Sequence, residues 1–93
     1  MFSTIFTTEL MQIMNTEEVN IIDVREIDEF YSGHIPGSVN LPLSTLSYTY
    51  MNLDRSKHYF IICRSGNRSQ SACVFLSQYG YSLTNILGGI INY

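Results

Sequence analysis

The sequence predicts an α/β fold, in which a mostly parallel central sheet is flanked by helices on both faces. Two observations support this prediction. Apolar strand segments alternate with short helical segments along the chain, and the two most apolar strands, residues 19–24 and 59–63, lack the regular polar alternation of a half-exposed strand. Strands have this character when helices cover both sides of a parallel sheet. A length of 93 residues suits a single domain, residues 1–93.

In the first half of the chain, helices are indicated by the spacing of apolar residues. Leu10, Ile13 and Met14 lie on one helix face, and one of the two preceding threonines can cap that helix. The segment 48–57 fits neither a helix nor a strand pattern. The predicted elements are a strand at 3–6, a helix at 7–14, a strand at 19–24, a helix at 26–31, a strand at 38–41 and a helical turn from 43 to about 46.

The second half of the chain is predicted to form the centre of the fold. An apolar strand at 59–63 leads through a short loop into a helix at about 68–79, which Gly80 ends. A last strand follows at 83–87, before a turn at Gly88-Gly89. In parallel sheets covered by helices, functional sites lie beyond the carboxyl ends of the strands. The loop after the central strand is therefore the expected position of a functional site.

That loop combines a cysteine, two arginines and small polar residues within seven positions. A tight loop that leads into a helix N-terminus turns its backbone N–H groups inward, where they form a nest for an anion. The loop also holds two of the five basic residues of an acidic chain, which favours an anionic substrate. The candidate residues are Cys63, Arg64, Ser65, Gly66, Asn67, Arg68 and Ser69.

The same loop is expected to activate Cys63. A free cysteine has a pKa near ~8.5, and a helix N-terminus or neighbouring cations lower it to between ~3.5 and ~7.5. If the helix dipole, Arg64 and Arg68 favour the thiolate by about 1.5–3 kcal/mol, the pKa falls by roughly one to two units. The simpler alternative is a buried, inert cysteine, but the residues that follow Cys63 are polar and suit anion binding. We therefore interpret Cys63 as a nucleophile.

Four sequence segments, taken together, indicate a protein family. They are IIDVR at 21–25, GHIPGSVNLP at 33–42, CRSGNRS at 63–69 and LGG at 87–89. In type and order they resemble the single-domain rhodaneses, sulfurtransferases that carry a sulfane sulfur on an active-site cysteine. The resemblance implies the small rhodanese-like α/β fold, a persulfide on Cys63, and a sulfur held by the loop backbone. It also implies that Arg64 and Arg68 face the incoming donor, and that no cofactor is required.

The resemblance further implies the reaction partners. The donor would be a small anionic sulfur compound, thiosulfate or a persulfide, and the acceptor a thiol, cyanide or a protein thiol. Two alternatives stay open. The domain could be a non-catalytic or sulfur-delivering interaction module. A cysteine phosphatase is the other alternative, and it is disfavoured because those enzymes place an arginine six positions after the nucleophile, whereas Arg68 lies five positions after Cys63.

The composition argues against several other classes. The net charge of −3 and the absence of a basic stripe disfavour nucleic-acid binding. The sequence has neither the long apolar run of a membrane span nor a charged and apolar leader. Two cysteines ten residues apart make no disulfide framework, so we expect a protein of the reducing cytoplasm, and we also expect a monomer. Two histidines and two cysteines, none at metal-ligand spacing, predict no metal site.

Two residues after the first core strand are expected to support the site structurally. Asp23 and Arg25 end that strand at the same sheet edge as the candidate loop. Arg25 is expected to form an ion pair with Glu29, four positions later. Asp23 is expected to share in this local pairing or to accept backbone hydrogen bonds near the site. A catalytic role for Asp23 is disfavoured, because a carboxylate beside a cysteine opposes thiolate formation.

The remaining polar candidates are expected to be structural as well. His34 lies in a turn, where a ring nitrogen can satisfy a backbone group, and His58 is expected to be a solvated loop residue before the central strand. Cys73 is expected to pack on the helix, too far from Cys63 to form a disulfide. Similar proteins continue beyond the position of Tyr93 into a short closing helix, so the terminal helix is expected to be short or absent.

Overall fold

The structure is a computed structural model that describes all of residues 1–93, and it confirms the α/β class. The strands are β1 (Ser3–Phe6), β2 (Asn20–Asp23), β3 (Val39–Asn40), β4 (His58–Ile62) and β5 (Ser82–Leu87). The helices are α1 (Thr7–Met14), α2 (Ile27–Tyr31), α3 (Leu46–Thr49) and α4 (Asn67–Ser77). Short 3-10 turns lie at Leu43–Thr45, Tyr50–Asn52 and Ile90–Asn92. No helix among these elements is long and apolar enough to cross a membrane.

All strand pairs are parallel, and the strand order β1-β5-β4-β2-β3 places β4 in the middle of the sheet. In the register, Ile61 of β4 lies between Ile22 of β2 and Asn85 of β5. Parallel pairing brings the carboxyl ends of these three strands to one edge. The segments that follow β2, β4 and β5 therefore meet at that edge, although they are far apart in the sequence.

The sheet is covered on both faces, as predicted. One face packs against α3 and α4 through eleven buried residues, among them Ile61, Leu46 and Leu76. The other face packs against α1 through Leu10, together with buried isoleucines of the strands. Full burial of one such side chain stabilises the fold by about 1.5–3 kcal/mol. A continuous apolar strand such as β4 is explained by this double coverage.

The predicted elements are present, with differences at their ends and in one ambiguous segment. Residues 48–57 comprise the end of α3, a 3-10 turn and a loop, a mixture that has no single periodicity. The prediction for His58 was wrong, since it begins β4 instead of lying in a solvated loop. Its ring nitrogens bond the hydroxyls of Ser82 and Thr84 at 2.6 and 2.7 Å, which holds the imidazole against β5.

Candidate active site

The candidate loop begins directly after β4 and ends in the first turn of α4. Gly66, the residue before α4, has a φ of 120°, a left-handed conformation that residues with a Cβ rarely adopt. A Cβ at this position would also lie 3.3 Å from the Leu87 side chain. Both facts favour glycine here. The tight turn that it permits directs the start of α4 back towards Cys63.

The sulfur of Cys63 lies inside a small cradle of hydrogen-bonding groups. The backbone N–H of Gly66 donates to Cys63 Sγ at 3.0 Å. The thiol donates to the Ser69 hydroxyl at 3.4 Å, and that hydroxyl donates to the Gly66 carbonyl at 3.1 Å. When the sulfur is a thiolate, the Ser69 hydroxyl can turn and donate to it. The cradle thus suits a single anionic sulfur, and both Cys63 and Ser69 are buried.

The pKa of the Cys63 thiol is lowered although the residue is buried. Burial is the largest single influence, and alone it raises the pKa because it disfavours the charged form. Hydrogen bonding to the sulfur outweighs it, first from the Ser69 hydroxyl and then from the backbone N–H groups of Ser69, Gly66 and Ser65. The sequence analysis attributed the shift to the loop amides, the helix dipole and the arginines, and it missed the hydroxyl of Ser69.

A second backbone segment fixes the outer side of the loop. The carbonyls of Cys63, Arg64 and Ser65 accept hydrogen bonds from the N–H groups of Ile90 (2.9 Å), Ile91 (3.1 Å) and Gly88 (3.2 Å), in that order. The three carbonyls are thereby held on the outer side of the loop. We call the segment 88–91 the clamp.

The clamp requires a glycine at position 89. Gly89 has a φ of 57°, and a Cβ there would lie 2.4 Å from the Arg64 carbonyl oxygen. Its own carbonyl accepts a 2.8 Å hydrogen bond from the buried hydroxyl of Thr7, which ties the clamp to the start of α1. The sequence analysis used the glycine pair as a turn and as part of a family segment, but it did not predict this contact. Its signal was present, since two glycines directly after the last strand indicate a close approach of backbone.

The two arginines of the loop have different surroundings. Arg68 forms a bidentate ion pair with Glu29 of α2, with N–O distances of 2.6 and 2.9 Å. The Arg68 hydrogen bond lowers the pKa of Glu29 to about 2 and raises the pKa of Arg68 itself. Arg64 is exposed and makes no side-chain hydrogen bond or ion pair. Of the two cations expected to face a donor, one already has a carboxylate partner.

The predicted ion pair between Arg25 and Glu29 was wrong. Arg25 instead pairs with Asp23, with its Nη2 at 2.8 Å from Asp23 Oδ2, and both side chains are buried. Arg25 Nη2 also donates to the Gly33 carbonyl at 2.8 Å. The expectation that Asp23 accepts a backbone hydrogen bond is confirmed, because its Oδ1 accepts from the Arg25 N–H at 3.0 Å. The pair holds the turn that connects β2 to α2.

The other candidates have structural contacts. The His34 ring stacks on Phe30 at 3.8 Å, and its Nδ1 lies 2.9 Å from the Phe30 carbonyl, so this nitrogen donates. Cys73 is fully buried on α4, and burial raises the pKa of its thiol to about 12. No group of three or more histidine, cysteine, aspartate or glutamate side chains is placed to hold a metal ion.

This chain is similar in sequence and in fold to known proteins. Residues 6–93 match the family described as Rhodanese-like domain. A sulfurtransferase of Allochromatium vinosum is 36% identical over 81 residues, which cover 86% of this chain and 76% of that protein. Thiosulfate sulfurtransferase GlpE of Shewanella oneidensis is 28% identical over 88 residues, or 95% of this chain and 87% of that protein. The crystal structure of SSP1007 from Staphylococcus saprophyticus has a TM-score of 0.92 at 33% identity, covering 99% of this chain and 92% of that one.

Proposed function

Because this chain belongs to the rhodanese-like domain family, we propose that it is a sulfurtransferase that carries a sulfane sulfur as a persulfide on Cys63. The observation that carries the proposal is the sulfur cradle. A buried cysteine whose pKa is lowered by hydrogen bonds from Gly66 and Ser69 is a preformed nucleophile. The residues proposed to bind the transferred sulfur and its donor are those of the loop, 64–69.

In the first half-reaction, the Cys63 thiolate attacks the outer sulfur of the donor. A sulfur–sulfur bond forms on Cys63, the bond between the outer sulfur and the rest of the donor breaks, and the donor remnant leaves with that electron pair. The terminal sulfur of the Cys63 persulfide retains a negative charge. The loop N–H groups would stabilise this charge by preorganised electrostatics, because the clamp fixes their orientation before the donor arrives.

In the second half-reaction, a nucleophilic acceptor removes the terminal sulfur. A thiolate, cyanide or a protein thiol attacks it, and Cys63 leaves as the thiolate that the cradle favours. No cofactor takes part in either step. Because both steps use the same cysteine in turn, ping-pong kinetics are expected. We propose a monomer acting in a reducing cytoplasm, where a free thiolate stays available for this cycle.

The rival functions have less support. A pure interaction module does not need a cysteine with a lowered pKa inside a cradle of donors. A phosphatase needs a free arginine to bind the tetrahedral phosphate, but Arg68 is bonded to Glu29 and lies five positions after Cys63. The loop therefore suits one sulfur atom better than a phosphate with its larger shell of oxygens.

Mass spectrometry tests the proposal. The protein is incubated with thiosulfate or with an organic persulfide, and its peptides are mapped for the added mass of one sulfur atom. We expect this mass on Cys63 alone, and its removal by cyanide with release of thiocyanate. The Cys63→Ser variant should gain no sulfur, whereas Cys73→Ala should gain it normally. A folded wild-type protein that gains no sulfur from either donor would contradict the proposal.

A further inference from the structure

The charges around Cys63 balance one another. Three arginines and three carboxylates lie in the loop, at the end of β2 or in the segment that follows β2. The field of Glu26 reaches Arg68, and the field of Arg25 reaches Glu29, so these groups act on one another. The six groups are Arg25, Arg64, Arg68, Asp23, Glu26 and Glu29. With Cys63 as a thiolate, these groups and the sulfur together carry a formal charge of one negative unit.

Two of the three arginines are bonded to carboxylates and cannot serve fully as anion receptors. Arg25 is buried against Asp23, and the two terminal nitrogens of Arg68 each donate to one oxygen of Glu29. Only Arg64 has no such partner, and it is exposed to solvent, where an ion pair contributes about 0–1 kcal/mol. The buried donors of the cradle face a single atom, the sulfur of Cys63.

We infer that this site takes sulfur from donors with no more than one negative charge, such as thiosulfonates and organic persulfides, and that Glu29 is the residue that disfavours dianionic thiosulfate. The inference rests on the proposed function and specifies its substrate class. Glu29 acts through Arg68, because a carboxylate that occupies both terminal nitrogens cancels the charge that would otherwise attract a second negative group. It is a specificity-determining residue and takes no part in the chemistry.

The chemistry is the same for both donor classes. The Cys63 thiolate attacks the terminal sulfur of a thiosulfonate, the bond from that sulfur to the sulfonyl group breaks, and a sulfinate leaves with the electron pair. With an organic persulfide, a thiolate leaves in the same way and takes a proton from solvent. Thiosulfate releases sulfite instead, and sulfite carries two negative charges out of a site that is already negative.

Two probes that deliver the same terminal sulfur isolate the effect of charge: thiosulfate, with two negative charges, and methanethiosulfonate, with one. We would measure kcat/KM for both with the Glu29→Gln variant, using cyanide as the acceptor. Glutamine keeps the size of the side chain and can still accept the 3.0 Å hydrogen bond from the Glu26 N–H. The matched control is Glu18→Gln, which removes one negative charge just before β2, at the opposite edge of the sheet.

The ratio of kcat/KM for thiosulfate to that for methanethiosulfonate should rise about two- to fivefold in Glu29→Gln, the size expected for a charge interaction that is partly exposed to solvent. Glu18→Gln should leave the ratio unchanged. Intrinsic donor reactivity and any change in the thiolate fraction cancel in this comparison. A folded Glu29→Gln protein whose ratio equals that of wild type would overturn the inference.

A measurement on the wild type keeps the inference testable if the variant does not fold. Salt screens charges over a Debye length of about 10 Å at 0.1 M ionic strength. In a negatively charged site, kcat/KM for thiosulfate should stay flat or rise as salt is added, whereas a steep fall would show a cationic pocket and overturn the inference. Failure of the proposed function has a different signature, because Cys63 would then gain sulfur from neither probe.

Discussion

Cys63 and Cys73 are buried to the same degree, with 1% and 0% of their surface exposed, yet their pKa values shift in opposite directions. Burial raises the pKa of Cys73 to about 12, and the charge of Cys63 adds to that effect. The same burial acts on Cys63, but hydrogen bonds from Ser69 and the loop backbone outweigh it. The difference between the two thiols is therefore the supply of hydrogen-bond donors.

The position of each cysteine relative to α4 explains that supply. Inside a helix, each backbone N–H is bonded to the carbonyl four residues earlier, so no N–H is available to Cys73. The first N–H groups of a helix have no such partner. At the start of α4, the turn at Gly66 directs its own N–H to the sulfur of Cys63. One short loop thus lowers the pKa of a thiol that burial alone would raise.

The largest expected effect is a loss of turnover that distinguishes the two cysteines. Cys63→Ser should lower thiocyanate formation by a factor on the order of 10³ or more, because the nucleophile is removed. Cys73→Ala should keep most of the activity, since its thiol touches no reacting atom in our account. Steady-state assays on proteins shown to be folded by circular dichroism check both. Equal loss in the two variants would mean that Cys73 takes part in the transfer.

The next effect comes from the clamp. Gly89→Ala should lower kcat/KM about ten- to a hundredfold, because the new Cβ would lie 2.4 Å from the Arg64 carbonyl oxygen and displace the loop. Gly80→Ala is the matched control. Gly80 also has a positive φ, of 83°, but a Cβ there would have no other atom within 4 Å.

Gly80→Ala should therefore cost about 1–2 kcal/mol of stability through backbone strain alone and leave the kinetics intact. Chemical denaturation and steady-state assays of both variants separate stability from activity. If Gly89→Ala retains the kinetics of Gly80→Ala, the clamp does not position the cradle.

A smaller effect should follow from the Ser69 hydroxyl. Ser69→Ala should raise the pKa of Cys63 by roughly one to two units, since a hydrogen bond to a charged group contributes about 1.5–3 kcal/mol. A higher pKa leaves less thiolate at neutral pH, so activity should fall near pH 7 and recover as the pH rises. Ser71→Ala, on the exposed side of the same helix, should leave the pH profile unchanged. If the pH profiles of wild type and Ser69→Ala coincide, the Ser69 hydroxyl does not lower the pKa of Cys63.

The smallest expected effect concerns the ion pair between Glu29 and Arg68. The pKa of Glu29 falls from 4.5 to about 2 on folding, so its stabilising contribution is complete above pH 4.5 and is lost as the pH falls towards 2. Both side chains are about one-third exposed, with 34% and 32% of their surface in solvent, which limits the contribution to about 0.2–1 kcal/mol.

Urea denaturation of wild type and Glu29→Gln tests this expectation. The wild-type protein should be more stable at pH 7, and the difference should vanish near pH 2. A difference that persists at the lowest pH would show that glutamine disturbs packing instead of removing an ion pair. The charge of Cys63 raises the pKa of Arg68, so this ion pair belongs to the surroundings of Cys63.

Local features of this molecule were predictable from sequence. A strand, a short polar loop and a helix are consecutive in the chain, so the position of Cys63 and the composition of its loop follow from pattern alone. The predicted fold was confirmed for the same reason, because apolar strands alternating with helices leave few arrangements other than a covered parallel sheet. The backbone hydrogen bond of His34 was also predictable, because its partner, the Phe30 carbonyl, is only four residues away.

Long-range contacts were not predictable. Glu29 and Arg68 are 39 positions apart, and the clamp meets the loop only because β4 and β5 are neighbours in the sheet. The i, i+4 rule assigned Glu29 to Arg25, but Arg25 lies at the start of a turn, where Asp23 is closer and fully buried. Helical spacing rules apply only inside helices, and α2 begins after Arg25.

We expect loop hydrogen bonds to make Cys63 a thiolate, while equal burial keeps Cys73 a thiol. Peptide-resolved alkylation with iodoacetamide, followed across pH at low ionic strength, measures both cysteines in one sample. We predict that Cys63 reacts with a midpoint below the ~8.5 of a free cysteine, and that Cys73 stays unmodified while the protein is folded. A Cys63 midpoint at or above that value, or alkylation of Cys73 in parallel with Cys63, would contradict the account.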